Sequence, residues 1–374
     1  MKCRAWIIVG LMAATLTGAW AQSPPVSHAD SFSKEGLFKA DASKLKDTEL
    51  VAQPDIPLTA DKNVLWCGTF QLAWNKAIDL VGEKLRFVNQ PPIVDLLNRE
   101  DFTDADLDSG SYVALADFER NNVEDEIRTA LEKTFHGAAS PELIPPKPPH
   151  PGPDDFVAYA YLYKNLAFAH PFEKNDPMNF GAQPVANFGF RENRNQLSHD
   201  VFSQVTIYDY KSEDDFIIKL KTKSTGDELI LAKITPGATL QETIETTLKR
   251  MSTGQTEVAD ENDEMAIPKL NFDLSKDFRE LEGLKLQPSP AAHIKSDLVI
   301  DEAKQIVRFQ LNEKGAILKS EAVIVMKTLA MANPPKAHIM IFDRPFLILM
   351  KQANSDRPYF ALWVGNASLL VPAK

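Results

Sequence analysis

Two places in this chain carry side chains of the right type and spacing for chemistry. Cys67, in Trp66-Cys67-Gly68, could supply a sulfur nucleophile, and Asp104, Asp106 and Asp108 alternate as carboxylates do in calcium-binding loops. Neither reading goes far. A reactive thiol needs a neighbour that favours the thiolate, and a lone cysteine among aromatic residues is expected to be a small buried apolar side chain. In Asp104-Ala105-Asp106-Leu107-Asp108-Ser109-Gly110 the glycine falls one place late for an EF-hand turn. Leu115 stands at the twelfth position, where a bidentate Glu is required. A solvated acidic loop is therefore expected there, and Asp260-Glu261-Asn262-Asp263-Glu264 reads in the same way as a polar turn. Asn366-Ala367-Ser368 fits the glycosylation sequon, a weak three-residue pattern. The chain has no G-x-S-x-G, H-E-x-x-H, P-loop or C-x-x-C, and its seven histidines are scattered. No enzymatic activity, no cofactor and no metal site are expected.

The elements that must position whatever the chain does show in its periodicity. Phe70, Trp74, Ile78 and Val81 recur at helical spacing before Gly82, and Val123, Ile127, Ala130, Leu131 and Phe135 mark a second helix ending near Gly137. Seven prolines then crowd residues 141–153, which predicts an extended surface connection. Beyond it, β-branched and aromatic runs predict strands over Phe156–Phe168, Val201–Tyr210, Phe216–Leu220 and Glu228–Ile234. Leu240, Ile244, Leu248 and Met251 restore a helix, and strands resume at Leu298, Val307, Val323 and Ile339. The fold class expected is α+β, with large mixed β-sheets and covering helices.

Met1-Lys2-Cys3-Arg4 followed by an apolar run to Trp20, with Ala19 and Ala21 in an A-x-A arrangement, reads as a signal peptide over residues 1–21, cleaved after Ala21. Export to an extracellular or periplasmic compartment follows. The run is shorter than the roughly 20 residues needed to span a bilayer, so no membrane association is expected after cleavage. Residues 22–60 are polar and aperiodic and are expected to form a loosely packed arm, leaving residues 61–374 as one large domain. Cys67 alone would remain in the mature chain, so stability must come from packing. Composition is that of a globular protein, 44% hydrophobic and 25% charged, and a formal charge of -11 with no basic stripe excludes a nucleic-acid partner. A monomer is expected.

The chain becomes specific near its end. Gln310-Leu311-Asn312-Glu313-Lys314-Gly315-Ala316 is followed by Asp343-Arg344-Pro345-Phe346-Leu347 and then by Tyr359-Phe360-Ala361-Leu362-Trp363-Val364-Gly365. In order and spacing this succession resembles the serpin family, in which an N/D-E-E/K-G hinge opens a reactive loop, an R/K-P-F-L/V strand follows and an F-x-G strand closes the chain. Tyr161 to Lys174 is similar to the family's A-I-Y-F-K-G-x-W-x-x-P-F stretch, with Phe168 where Trp is usual, and Ile267-Pro268-Lys269-Leu270 resembles its L-P-K-F strand. The resemblance covers roughly residues 156–374 and is that of a divergent, bacterial-like serpin-domain protein.

It implies an exposed C-terminal reactive loop that a serine protease attacks as substrate, and a sheet into which the cut loop inserts. The hinge would comprise Glu313, Lys314, Gly315, Ala316, Leu318 and Ser320. The family's interval from Gly315 places the scissile bond at Leu329-Ala330, which suits a chymotrypsin- or elastase-like partner. Strand alternation puts Ala316, Leu318, Ser320, Ala322, Ile324 and Met326 on one face, with Lys319, Glu321 and Lys327 on the other. The family's inhibitors carry short hinge side chains, whereas Leu318, Lys319 and Glu321 are bulky or charged. Tyr159 and Gln305 stand where the family has its polar latch residues, Asn and His. Inhibition of a serine endopeptidase and a non-inhibitory binding or structural role both remain open.

Overall fold

The computed structural model describes residues 36–137, 139, 141–191, 196–290, 292–294, 296–315 and 337–373. Its elements begin with strands β1 (Phe38–Asp41), β2 (Thr48–Val51) and β3 (Asn63–Cys67), followed by helices α1 (Thr69–Val81) and α2 (Pro92–Leu97). Strand β4 (Tyr112–Phe118), helix α3 (Val123–Phe135) and strand β5 (Phe156–Leu162) come next. The short strands β6 (Glu173–Lys174), β7 (Met178–Phe180), β8 (Gln183–Val185) and β9 (Asn187–Phe190) lead to helix α4 (His199–Ser203). Strands β10 (Val205–Ser212), β11 (Asp215–Leu220) and β12 (Asp227–Lys233) precede helix α5 (Leu240–Thr253) and strand β13 (Thr256–Val258). The chain ends with β14 (Glu264–Pro268), β15 (Leu270–Asp277), β16 (Lys304–Leu311), β17 (Ile339–Ile341), β18 (Phe346–Gln352) and β19 (Pro358–Val364).

The helices begin and stop where their sequences dictate. Gly82 ends α1 at φ +83, a left-handed conformation that glycine adopts without steric cost, and its N–H closes the last turn on the Ile78 carbonyl. Pro92 at the first position suits the start of α2, and Glu124, Asp125 and Glu126 place negative charge at the start of α3. The Thr239 hydroxyl accepts from the Glu242 N–H at 3.0 Å and caps α5.

The largest sheet has eight strands in the order β13-β10-β11-β12-β18-β19-β3-β2, antiparallel except for the β2–β3 pair. Every residue of β18 and β19 is buried, which is why Phe346–Gln352 and Pro358–Val364 read as near-continuous apolar runs rather than alternating ones. A three-stranded sheet, β1-β15-β16, a four-stranded sheet, β17-β14-β9-β6, and the pairs β4–β5 and β7–β8 complete the α+β architecture.

The β4–β5 pair is packed on both faces. Val113, Val157, Tyr159, Tyr161 and Tyr163 meet α3 through Val123, Ile127, Leu131 and Phe135. Phe118, Phe156 and Ala158 join Trp74, Ala77, Ile78 and Val81 of α1. Period-two alternation along β5 is what allows one strand to serve two helices.

Four expectations need correction. Residues 36–60 are not a loose arm: β1 lies parallel to β15 (Phe38 opposite Phe272) and β2 pairs β3, with Thr48, Leu50, Val51 and Ala52 buried. Thr48, buried in β2, is satisfied by Asn63 and by the distant Ser368, so the segment mixes polar with apolar residues and lacks a hydrophobic signature. The strand expected from Val201 starts at Val205, because Val201 and Phe202 are the buried face of α4. The strand from Phe156 stops at Leu162, and Leu298 lies in no strand but beside an isolated bridge between Lys285 and Val299. The expected strand at Val323 lies outside the described residues.

Candidate functional site

Strands β16 and β5 form the two sides of the feature with most functional content. β15 is the only described strand that pairs with β16, and β4 the only one that pairs with β5. Both rest on α1: the Gln305 side chain of β16 donates through Nε2 to the Cys67 carbonyl at 3.0 Å and to Thr69 Oγ1 at 2.9 Å, where α1 begins. Past β5 the chain crosses to the end of β16. Ala167 bridges Gly315, the Phe168 N–H donates to the Lys314 carbonyl at 3.1 Å, and the Phe172 N–H donates to the Glu313 carbonyl at 2.8 Å. The C-terminal ends of both strands therefore meet at one end of the molecule, so β5 and β16 run in the same direction. A segment folding back from Gly315 would run antiparallel to both, as an antiparallel ladder requires.

Gly315 cannot be replaced cheaply. Its φ is +97, and a Cβ there would sit 2.5 Å from the Phe168 nitrogen and 2.6 Å from the Leu166 oxygen. Asn312-Glu313-Lys314-Gly315 forms a tight turn in which the Gly315 N–H donates to the Asn312 carbonyl at 3.1 Å. Glu313 is clamped between two cations: Oε2 lies 2.5 Å from Lys269 Nζ and Oε1 lies 3.6 Å from Lys174 Nζ. Burial pushes the Glu313 carboxyl up, but hydrogen bonding and charge from Lys269, its own backbone N–H and the Lys174 charge outweigh it and hold it below the ordinary range.

A depressed folded-state value means that the clamp contributes fully above the unfolded value and is lost as pH falls through the folded one. The difference in unfolding temperature between wild type and Glu313→Gln is expected to be largest near neutral pH. It should close on acidification below about pH 4, where an unperturbed Glu begins to protonate. A difference independent of pH would remove the carboxylate charge from the account.

The return point is held as firmly. The His338 N–H donates to Asp263 Oδ1 at 2.7 Å, His338 Nδ1 lies 3.0 Å from the same oxygen, and the Ile339 N–H donates to the Tyr210 hydroxyl at 3.1 Å. Asp263 Oδ2 accepts the Asp260 N–H, so the acidic run 260–264 is a turn that seats this anchor.

Of the hinge residues expected from sequence, Glu313, Lys314 and Gly315 are placed together by this turn. Ala316, Leu318, Ser320 and the Leu329-Ala330 bond lie outside the described residues. Gln305 supplies a polar tie to the start of α1. Tyr159 faces the α3 cluster and is buried, which pushes its phenol up. Cys67 is buried, and burial pushes its thiol up, away from reactivity.

The three carboxylates of 104–110 serve separate partners: Asp104 pairs with Lys76 at 3.2 Å, Asp106 accepts the Thr103 N–H, and Asp108 pairs with Lys164. Asn366 is consumed structurally, its Nδ2 donating to the Asp47 and Asp61 carbonyls, each at 2.9 Å, which leaves no free amide for a sugar. Among the described residues, no helix is long and apolar enough to cross a membrane.

One cluster had no signal in the sequence. Lys164, two residues past β5, lies 2.8 Å from Asp227 Oδ1 at the head of β12, each side chain only 7% exposed. That oxygen also accepts from Tyr359 of β19 at 3.0 Å and from Gln352 of β18 at 2.6 Å, while Oδ2 accepts from Ser224 at 2.6 Å. Burial first, and the Asp227 carboxylate second, push the Tyr359 phenol up. The network fastens β5 to the eight-stranded sheet.

No family model and no curated protein matches the chain. Among solved structures it is similar to Serpin48, a highly specific serpin of the insect Tenebrio molitor, at 16% identity over 81% of this chain and 92% of that one, with a TM-score of 0.47. It is also similar to thyroxine-binding globulin in complex with thyroxine: one structure at 15% identity over 82% of this chain and 94% of that one (TM-score 0.44), and a structure of the human protein at 12% over 82% and 93% (TM-score 0.46).

Proposed function

We propose that the chain is a secreted serpin-fold protein, not an enzyme, whose single domain includes β1 and β2 and offers the loop over residues 316–336 to a chymotrypsin- or elastase-like serine protease. The observation that carries this reading is the pair of like-directed strands, β5 and β16, bridged at one end by the Gly315 turn and supported from below by α1. Such a pair can accept one antiparallel strand, and the loop begins at the entrance.

The receiving strands are seven and eight residues long. Insertion would thus draw in about the first eight loop residues, with Ala316, Leu318, Ser320 and Ala322 toward α1 and Ile317, Lys319, Glu321 and Val323 outward. β16 follows the same rule as far as Phe309: Gln305, Val307 and Phe309 are buried while Arg308 is exposed, and beyond it both Gln310 and Leu311 are buried. Attack at Leu329-Ala330 would leave an acyl-enzyme, and insertion would carry the protease away before the ester is hydrolysed.

The test is incubation with chymotrypsin and elastase. A complex that survives denaturant, with the chain ending at Leu329, is expected. Clean cleavage without a complex would remove inhibition and leave the second reading, a serpin-fold protein that binds a partner without trapping proteases. That reading is favoured by one feature, the bulky or charged Leu318, Lys319 and Glu321, which should slow entry.

A further inference from the structure

The proline-rich connection between α3 and β5 has a surface pattern that a simple spacer does not need. From Ile144 to Pro153 every residue is a proline or stands immediately before one. Proline fixes φ near -65°, and the residue before it is driven out of the α region, so the ribbon is confined to extended backbone, polyproline II-like over 144–148 and bending at Pro149 and His150. That helix has three residues per turn.

Burial follows the same period: Pro145, Pro148 and Pro151 are half-buried, whereas Pro146, Lys147, Pro149 and His150 are exposed. One ridge of the ribbon faces the protein. The other two, Pro146 with Pro149 and Lys147 with His150, face solvent.

The ribbon is rigidly mounted. Ile144 packs against the α3 cluster, Glu142 lies 3.5 Å from Lys39, and at the far end the Gly152 N–H donates to Asp155 Oδ2 at 2.7 Å. Among the described residues, no backbone hydrogen bond joins 143–151 to the rest of the chain. Lys147 Nζ donates to the neutral side chain of Asn122 and pairs with no described carboxylate, so its charge stays uncompensated on a protein of net charge -11.

We propose that residues 144–151 are a preformed polyproline ligand for a protein domain that has an aromatic-lined groove with an acidic group beside it. Successive exposed prolines on one ridge lie three residues, about 9 Å, apart, the repeat such grooves read. Lys147 supplies the charge that selects the acidic flank. Because the ribbon is already ordered, docking does not carry the entropic cost of straightening a free peptide.

The test is calorimetric titration of the full chain with a panel of purified SH3 and WW domains. At least one domain is expected to bind with a Kd of about 100 μM or tighter, and Pro146→Ala/Pro149→Ala should weaken it at least about 10-fold. Lys147→Glu should weaken the same complex without touching a proline. Near-UV circular dichroism identical to wild type shows that the variants are folded. Absence of binding across the panel, or binding unchanged in the double variant, would overturn the proposal and make the ribbon a brace for α3 alone.

Discussion

Cutting the chain once within residues 316–336 is expected to raise its unfolding temperature by about 10–20 °C. The gain comes from backbone groups rather than from the cut itself. An eight-residue strand entering between β5 and β16 would form ladder hydrogen bonds on both sides, each contributing about 0.5–1.5 kcal/mol, partly offset by the cost of ordering the loop. A net gain of about 10 kcal/mol is required, since at about 2.1 cal/mol/K per residue each kcal/mol moves a domain of this size by about 1–2 °C. Calorimetry before and after limited proteolysis reads the effect. An unchanged temperature would mean that the loop does not enter between these strands, and would sink inhibition whichever protease is tried.

Asp227→Ala is expected to cost about 3–5 kcal/mol, the range for removing one member of a buried ion pair. The substitution takes the acceptor from Lys164, Tyr359, Gln352 and Ser224 together, and leaves Lys164 with Asp108 alone. Urea unfolding measures it as a shift in midpoint, and Asp227→Asn, which keeps the volume and an acceptor, should recover part of the loss. A cost under about 1 kcal/mol would place the pair among surface ion pairs instead.

Some of this was legible in the sequence and some could not be. Phe70, Trp74, Ile78 and Val81 marked α1, and Gly82 marked its end, because a helix packing on one face records that face in its spacing. The buried strands β11 and β12 announced themselves through apolar runs, and β18 only through the Arg344-Pro345-Phe346-Leu347 resemblance. Strand β2 did not. The Thr48 hydroxyl lies 3.1 Å from Ser368 Oγ, and Asn63 Nδ2 donates to Thr48, Asn366 and Ser368, so a buried strand is built partly from polar residues whose partners lie some 300 positions away. The Glu313 clamp was half visible. Glu313 belongs to a local hinge pattern, whereas Lys174 of β6 and Lys269, between β14 and β15, lie in motif segments that give no sign of pairing with it. Lys164 and Asp227 fail for the same reason, since a pair closed by tertiary structure leaves no periodicity.

The strand order of the largest sheet bears on when this molecule can finish folding. Strands β18 and β19 lie between β12 and β3, so among the described residues the two halves of that sheet are joined through residues 346–364, which come long after β3 and β12 in the chain. Such long-range closure is slow. During synthesis β3 and β12 must wait for residues 346–364 before this sheet can close. Docking of β18 and β19 also brings the His338 anchor into place, so the two points at which the described chain stops and resumes, Gly315 and His338, are both fixed only when this sheet closes.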